Sequence, residues 1–306
     1  MVFKRVLLLN FVLCLLAMVV YLTPWKDIFW TEQSLTPGIE DFQRLKLFTY
    51  EPSYYAMLFV PLFFFFLIGF TFRRITMRSW QLLVMFCLPL ILSFSLGVIV
   101  CILVALLIVF SVYPGRLMRR RRIVNAIFLG LTIILPLVLI WWLLFPGNTL
   151  LVRLVNVVAG YDTSAKGRTY EAFYLSGKIL ALKSQLWGIG LGQIKITGAN
   201  VIKDYYLYTS DYNTVAIPNA TAETLAVFGW TGLLARFGIE IGLFFHTKVW
   251  KNYYQLSLFV FAFIYQFTGS FITNVAEYVI WILAFTNVFR RFDVIQKESA
   301  TFASGR

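Results

Sequence analysis

The stretch SWQLLVMFCLPLILSFSLGVIVCILVALLIVFSVYP, residues 79–114, decides how this chain folds. It carries no charged side chain and is longer than the roughly 17–25 apolar residues that one membrane-spanning helix needs. Cationic clusters flank it, starting at Arg73 on one side and ending at Arg122 on the other. Because lysine and arginine stay on the cytoplasmic side, the chain crosses the membrane an even number of times between them. We therefore predict two short helices that meet at SFSLG, residues 93–97.

The composition of the whole chain agrees with a membrane protein. Of 306 residues, 60% are hydrophobic and 13% are charged, whereas soluble domains are about half apolar and a quarter charged. We predict an all-α polytopic membrane protein with about eight transmembrane helices in one domain, residues 1–306. The predicted spans are residues 6–23, 54–72, two within 79–114, 123–145, 220–245, 253–268 and 278–289.

The distribution of cations predicts the topology. With the N-terminus in the cytoplasm, every strong cationic cluster and more than half of the 27 lysines and arginines fall on that side, as does the C-terminus. No small-x-small cleavage site follows the first apolar block, so we expect a retained helix. The net charge of +13 is then explained by topology, and we expect no nucleic acid as a partner.

The longest predicted extracytoplasmic loop is residues 146–219. A loop this long is usually functional or disordered, and its many tyrosine and aliphatic residues argue against disorder. Five apolar residues recur at a spacing of three or four, which predicts an amphipathic helix with Arg168 in its first turn. They are Ala172, Leu175, Ile179, Leu182 and Leu186. The sequence GIGLG, residues 188–192, then predicts a turn that ends this helix.

Several kinds of chemistry have no signature here. The sequence lacks a phosphate-binding Gly-x-x-x-x-Gly-Lys loop and an Asp-x-Asp metal motif, and its single histidine, His246, lies at a predicted cytoplasmic helix end. The three cysteines, Cys14, Cys87 and Cys101, lie inside apolar blocks without metal-ligand spacing. We therefore expect no metal site, no cofactor and no Ser-His-Asp hydrolase.

Two segments carry helix-start signals where predicted outer loops enter the membrane. Asn219 or Thr221 is suited to cap the helix that follows, with Glu223 favourable near its positive end. Glu51 precedes Pro52, a residue welcome in the first turn of a helix. Within the later helix, Arg236 and Glu240 stand four residues apart, which predicts an intrahelical ion pair, with lipid-phosphate binding or gating as the alternative.

Together, three motifs resemble the bacterial O-antigen polymerase and ligase superfamily of membrane glycosyltransferases. The first is Arg168 leading to LWGIGLG; the second is Asn219 and Glu223 followed by Gly229 and Gly232; the third is EPS, residues 51–53. The resemblance covers residues 40–290 and implies a GT-C-like fold in a bacterial cytoplasmic membrane. It implies a site facing the periplasm or exterior that joins repeat units linked to undecaprenyl diphosphate. A chain-length regulator protein is a candidate partner.

Two departures distinguish this chain within that resemblance. Pro218 stands where the ligase branch carries a histidine, and Leu96 stands where that branch often carries an arginine. Proline cannot act as a base and leucine cannot bind phosphate, so the resemblance favours a polymerase over a ligase. A transporter or flippase for the same lipid-linked sugar is a third alternative, although no internal repeat supports it.

The resemblance also implies roles for individual residues. Arg168 and Arg44 are expected to bind the substrate diphosphate, because a guanidinium grips phosphate oxygens bidentately. The alternative for Arg168 is an ion pair with Glu171 or Asp162. The candidate general bases lie near the predicted outer ends of spans, and two further residues are assigned to substrate binding. The bases are Glu51, Glu223 and Glu277; the binding residues are Asn219 and Tyr170. Other loop tyrosines suit either sugar stacking or an interfacial aromatic belt.

Overall fold

A computed structural model describes residues 2–33, 42–71, 79–113, 149–207 and 216–294. Most of these residues are helical. The helices are α1 (Val2–Val20), α2 (Pro52–Thr71), α3 (Ser79–Ser93), α4 (Leu96–Val112), α5 (Thr149–Val158), α6 (Thr163–Arg168), α7 (Tyr170–Leu180), α8 (Ala199–Tyr206), α9 (Ala220–His246), α10 (Tyr253–Tyr265) and α11 (Val275–Phe285). Short 3₁₀ turns cover Lys26–Ile28, Gln193–Lys195, Val249–Lys251 and Arg290–Phe292.

The chain is a helical membrane protein. Among the described residues, α1, α2 and α9 are long and apolar enough to cross a membrane, and shorter apolar helices include α4, α10 and α11. The predicted division of residues 79–114 is confirmed, since α3 ends at Ser93 and α4 begins at Leu96. The predicted fifth span, residues 123–145, lies outside the described residues, so eight crossings stay a prediction.

A β-hairpin corrects the expectation of a purely helical chain. Strands β1 (Trp30–Gln33) and β2 (Phe42–Leu45) pair antiparallel between α1 and α2, with Thr31 opposite Arg44. The indole nitrogen of Trp30 donates to the carbonyl of Ala17 at 2.8 Å, which ties the hairpin to the end of α1. The sequence prediction missed it because a short amphipathic hairpin has no apolar run to reveal it.

Helix α2 lies at the centre of the main core. Met57, Phe64 and Phe66 of α2 are almost fully buried, and Phe64 meets Phe261 of α10 edge to face at 6.2 Å between ring centroids. Helix α10 also packs against α4 and α11. Close packing of large apolar side chains therefore joins α2, α4, α10 and α11 into one bundle.

A second, smaller core joins α7 to α9. Ala172, Leu175 and Ile179 of α7 are buried against Ala222, Ala226 and Val227 of α9. The predicted apolar face is thus confirmed over three of its five residues. Leu182 and Leu186 are instead exposed, because the helix ends at Leu180 and the chain turns before reaching them.

Candidate functional site

Helix α9 is broken at Gly229. This residue has φ 67° and ψ −165°, a conformation that is essentially restricted to glycine. In an unbroken helix, the N–H groups of Trp230 and Thr231 would donate to the carbonyls of Ala226 and Val227. The break parts these donors from their acceptors, and inside a membrane protein each such group needs another partner.

Residues 185–190, here named the clasp, supply those partners. The N–H groups of Ile189 and Gly190 donate to the carbonyls of Ala226 and Val227 at 3.0 and 2.9 Å. On the other side, the N–H groups of Trp230 and Thr231 donate to the carbonyls of Gln185 and Leu186, both at 3.1 Å. The clasp thus replaces two helical hydrogen bonds with four bonds to another segment. These are Trp230–Gln185, Thr231–Leu186, Ile189–Ala226 and Gly190–Val227.

Two glycines make this close backbone approach possible. A Cβ atom on Gly188 would lie 2.5 Å from the carbonyl of Val227, and one on Gly229 would lie 2.3 Å from the carbonyl oxygen of Leu186. Both glycines also have positive φ. The predicted glycine turn is confirmed, but it closes the break in α9 instead of ending an amphipathic helix.

Arg168 occupies a different position from the predicted one. It is the last residue of α6, and a distorted Thr169 (φ −117°, ψ −101°) separates it from α7. Its predicted place in the first turn of the amphipathic helix is therefore wrong. Asp162 caps α6 by accepting from the N–H of Ala165, and Glu171 accepts from the hydroxyl of Tyr206.

The ion pair of Arg168 joins it to the start of α2. An Nη atom of Arg168 lies 3.7 Å from a carboxylate oxygen of Glu51, so the partner is neither Glu171 nor Asp162 as the alternative expected. The two side chains keep 28% and 24% of their surface exposed. Because 3.7 Å exceeds normal hydrogen-bond length, this pair is loose and accessible to a ligand.

Asn219 connects Arg168 to the two helices beside it. Its side-chain oxygen accepts from the N–H of Ala222, which confirms the predicted cap of α9. Its amide nitrogen donates to the carbonyls of Arg168 at 2.8 Å and Phe267 at 2.6 Å. Asn219 is fully buried and holds three segments together. Its expected role in substrate binding stays a prediction.

The start of α2, the start of α9 and the end of α10 therefore meet at one end of the bundle, here named the site end. Glu223, in the first turn of α9, accepts from the N–H of Ile272 in the loop between α10 and α11 at 2.7 Å. Tyr265, buried at the end of α10, lies within electrostatic range of Arg168, Glu51 and Glu277. Glu51 and Asn219 thus contact Arg168, whereas Glu223 contacts the loop between α10 and α11.

Tyrosines surround the exposed part of the site end. Tyr170, two residues after Arg168, is exposed and stacks against Tyr174 with ring centroids 6.3 Å apart. Tyr50, next to Glu51, packs against Tyr54. Burial and the neighbouring Glu51 carboxylate raise the pKa of Tyr50 to about 12, so its hydroxyl stays protonated at physiological pH. Tyr50 can therefore donate a hydrogen bond to a ligand there.

Deeper in the bundle, Arg236 binds two carboxylates. Its Nε donates to Glu240 at 3.0 Å, which confirms the predicted intrahelical pair, and an Nη atom contacts Glu277 of α11. The other Nη donates to the hydroxyl of Thr224 at 3.2 Å. Residues twelve apart in a straight helix are separated by about 18 Å, far beyond the reach of one side chain. The break at Gly229 is what brings Thr224 and Arg236 together.

Arg44 is anchored at the junction of α3 and α4. It is buried, and its Nε donates to the carbonyl of Ser93 at 3.0 Å. This contact fixes the hairpin to the turn whose sequence is SFSLG. A Cβ atom on Gly97 of that turn would lie 3.8 Å from Tyr265, so the turn belongs to the site end. Its bond to the Ser93 carbonyl gives Arg44 a structural contact, and its expected diphosphate role stays a prediction.

Sequence reasoning missed the partners that complete the buried charges. The side chains of Gln266 and Trp281 bind Glu240 and Glu277, and Thr224 binds Arg236. Gln266 was detectable, because a glutamine at the end of an apolar span is costly unless it has partners. No group of metal-ligating side chains occurs among the described residues.

Comparisons with known proteins add no relationship. No protein-family model matches the chain, and neither the curated proteins nor the solved structures contain a match.

Proposed function

We propose that this protein is a membrane glycosyltransferase that polymerises oligosaccharide repeat units carried on undecaprenyl diphosphate. The observation that carries the proposal is the accessible Arg168–Glu51 pair, in which a cation and a carboxylate from distant segments face the same exposed position. The sequence resemblance names both residues independently. Their contact in the structure supports the proposal.

The proposed reaction needs one base and one cation. Glu51 takes the proton from an acceptor sugar hydroxyl, and the resulting oxygen nucleophile attacks the anomeric carbon of the donor. The bond from that carbon to the diphosphate oxygen breaks, and undecaprenyl diphosphate leaves with the electron pair. Arg168 stabilises the charge on the leaving diphosphate, as a guanidinium does best. These two residues account for the step.

Among the three candidate bases, Glu51 has the best position. Its side chain is 24% exposed beside Arg168, whereas Glu223 is engaged by the backbone N–H of Ile272 and Glu277 by Arg236. A general base must reach the proton that it abstracts, which favours an accessible carboxylate. Glu223 and Glu277 are better suited to positioning the loop and the helices behind the site.

The remaining features of the proposal concern the whole protein. It comprises eight spans in a GT-C-like arrangement in a bacterial cytoplasmic membrane, with both termini in the cytoplasm. The site end then faces the periplasm or exterior, where the lipid-linked repeat units are joined. Tyr170 and Tyr174, exposed and stacked near Arg168, offer flat apolar surfaces to sugar rings.

The test uses purified protein in detergent with lipid-linked repeat units, and the product lengths are resolved on a gel. We expect a ladder of increasing length from the wild type and a loss of about 100-fold or more in rate from Glu51→Gln. Glu32→Gln, an exposed carboxylate in the hairpin, is the matched control and should keep the wild-type rate.

Three other outcomes would redirect the proposal. Transfer of a finished polymer to a second acceptor without a ladder would indicate a ligase. Movement of unchanged substrate across a vesicle membrane would indicate a transporter. A ladder that Glu51→Gln leaves intact would keep the function and exclude Glu51 as the base.

A further inference from the structure

One end of the bundle brings together cations from opposite ends of the sequence. The ring of Phe3, in the first turn of α1, meets the rings of Phe65 in α2 and Phe289, with centroids 4.7 and 5.3 Å apart. Two cationic pairs, residues 4–5 and 290–291, directly follow Phe3 and Phe289 in the sequence and are exposed. Folding therefore places both pairs beside the same aromatic contact.

An open cleft of about 570 Å³ lies at this contact and is here named the cationic cleft. Aliphatic and aromatic side chains from α1, α2 and residues 288–289 line it, together with Arg290 and Arg291. Phe65 in its wall is about four helical turns, or roughly 20 Å, along α2 from Glu51. The cationic cleft is therefore separate from the site end.

Aromatic rings hold Arg291 at the cationic cleft. Its guanidinium carbon lies 4.3 Å from the centroid of the Phe65 ring and 5.0 Å from that of Phe292. Such cation–π contacts fix the position of a guanidinium without neutralising its charge. Partial burial lowers the pKa of Arg291, because the charged form loses hydration. An anion bound beside Arg291 would compensate for that loss.

Neither arginine of the cationic cleft has a carboxylate partner in the part of the chain that the structure describes. Asp293, the acid closest to them in sequence, accepts instead from the side-chain amides of Asn252 at 2.6 Å and Asn287 at 3.3 Å. Two adjacent guanidinium groups without a carboxylate are suited to a phosphate, whose oxygens match their planar fork. The chemistry therefore points to a phosphate-bearing ligand.

We propose that the cationic cleft binds one anionic phospholipid, whose phosphate contacts Arg290 and Arg291. The acyl chains then lie along the apolar wall of the cleft and the outer face of α1, where Val6 and Leu9 are exposed. A free phosphate would leave this apolar surface in water, which is unfavourable. Basic pockets between membrane helices bind anionic lipid headgroups in this way. This inference is independent of the proposed glycosyltransferase function.

The preference of cations for the cytoplasmic side does not by itself explain the cationic cleft. That preference needs only lysine or arginine near the end of a span. Lys248 and Lys251, in the turn after α9, are cations of this kind, because they are exposed and do not line the cleft. Arg291 is instead fixed over the ring of Phe65. Lys248 and Lys251 are therefore the matched controls for a test of specific binding.

Thermal unfolding of the purified protein in a neutral detergent tests the proposal. Increasing phosphatidylglycerol should raise the melting temperature to a plateau, from which an apparent Kd follows, whereas phosphatidylcholine should leave it unchanged. Arg290→Gln combined with Arg291→Gln should raise that Kd by about 20-fold. Lys248→Gln combined with Lys251→Gln removes the same charge and should keep the wild-type Kd.

Arg290→Gln alone guards against a folding defect in the double variant, because the Arg290 side chain makes no hydrogen bond or ion pair with the other described residues. Its Kd should rise by about fivefold. An unchanged Kd in folded Arg290→Gln, or an equal loss in the lysine variant, would indicate diffuse attraction and overturn the proposal. A rise in melting temperature of the same size with inorganic phosphate would indicate a site for free anions and overturn the lipid assignment.

Discussion

Helices α2 and α9 differ in burial and in charge. An 18-residue stretch of α2 is 72% buried and α2 has no charged residue, whereas the corresponding stretch of α9 is only 22% buried and α9 carries Arg236 and Glu240. Apolar packing therefore holds α2, while directed polar contacts and the clasp hold α9. The difference teaches that the helix with less packing carries the buried charges, because the break at Gly229 brings polar partners such as Thr224 within reach of Arg236.

The largest expected effect on stability comes from removing Arg236, the cation at the centre of the polar contacts of α9. Arg236→Gln leaves Glu240 without its ion-pair partner, and breaking a buried pair costs about 3–5 kcal/mol. We expect a large drop in the melting temperature in detergent. Glu240→Gln added to this variant should restore part of the loss by removing the unpaired charge.

The matched control for that variant lies on α2. Leu58 is 42% exposed on an otherwise buried helix, and Leu58→Ala should change stability by less than about 0.5 kcal/mol. If Arg236→Gln is as mild as Leu58→Ala, the buried charges do not hold α9 and the contrast between the helices fails.

The second prediction concerns the clasp. Gly229→Ala and Gly188→Ala each place a Cβ within 2.5 Å of backbone atoms, at positive φ, and each should destabilise the protein by about 3 kcal/mol or more. A Cβ on Gly177 in α7 would meet no other atom within 4 Å, so Gly177→Ala should stabilise by about 0.5–1 kcal/mol. Thermal unfolding followed by circular dichroism measures all three variants. Equal effects would show that the clasp does not stabilise the break in α9.

The third prediction separates the two roles of Asn219. Asn219→Ala loses both the helix cap and the donors to Arg168 and Phe267, and we expect a cost of about 2 kcal/mol. Asn219→Asp keeps the cap acceptor but cannot donate. In Asn219→Asp a buried carboxylate oxygen faces the carbonyl oxygens of Arg168 and Phe267. This variant should therefore be more destabilising than Asn219→Ala, and both should impair activity by releasing the Arg168 segment. Stability and rate measured on the same samples test this ordering.

The amount that sequence could predict differs between these regions. Apolar runs located α2, α3 and α4, and the turn at residues 93–97 followed from the placement of the cationic clusters. The clasp was beyond reach, because backbone hydrogen bonds between residues 185–190 and the break in α9 leave no pattern in side-chain types. The sequence showed the glycines of residues 188–192, but not that they pack against the break in α9.

The sequence named residues of the candidate site more readily than it named the contacts between them. Glu51, Arg168, Asn219 and Glu223 follow from motifs, and the spacing of Arg236 and Glu240 reveals their pair. Sequence reasoning assigns the ion pair of Arg168 to local acids because it favours neighbours, whereas tertiary folding supplies Glu51. The sequence prediction also starts α7 too early, because the non-helical backbone of Thr169 separates α6 from α7.

The smallest expected effect is that of Tyr50. Because its pKa is raised to about 12 by burial and by Glu51, its hydroxyl does not titrate between neutral pH and about pH 10. Tyr50→Phe should therefore leave the alkaline limb of the pH–rate profile in place, with at most a few-fold loss of rate from a missing hydrogen bond. A shifted alkaline limb would show that Tyr50 titrates in the working range.

The proposed function requires Arg168 to stabilise a leaving diphosphate at the site end. The most direct measurement compares the rate of undecaprenyl diphosphate release per folded molecule by wild type, Arg168→Lys and Arg168→Ala, alongside their melting temperatures. We predict a fall of about 100-fold or more for Arg168→Ala and an intermediate rate for Arg168→Lys. Melting temperatures should stay close to wild type, because the ion pair with Glu51 is loose and partly exposed. A wild-type rate in Arg168→Ala would contradict this requirement.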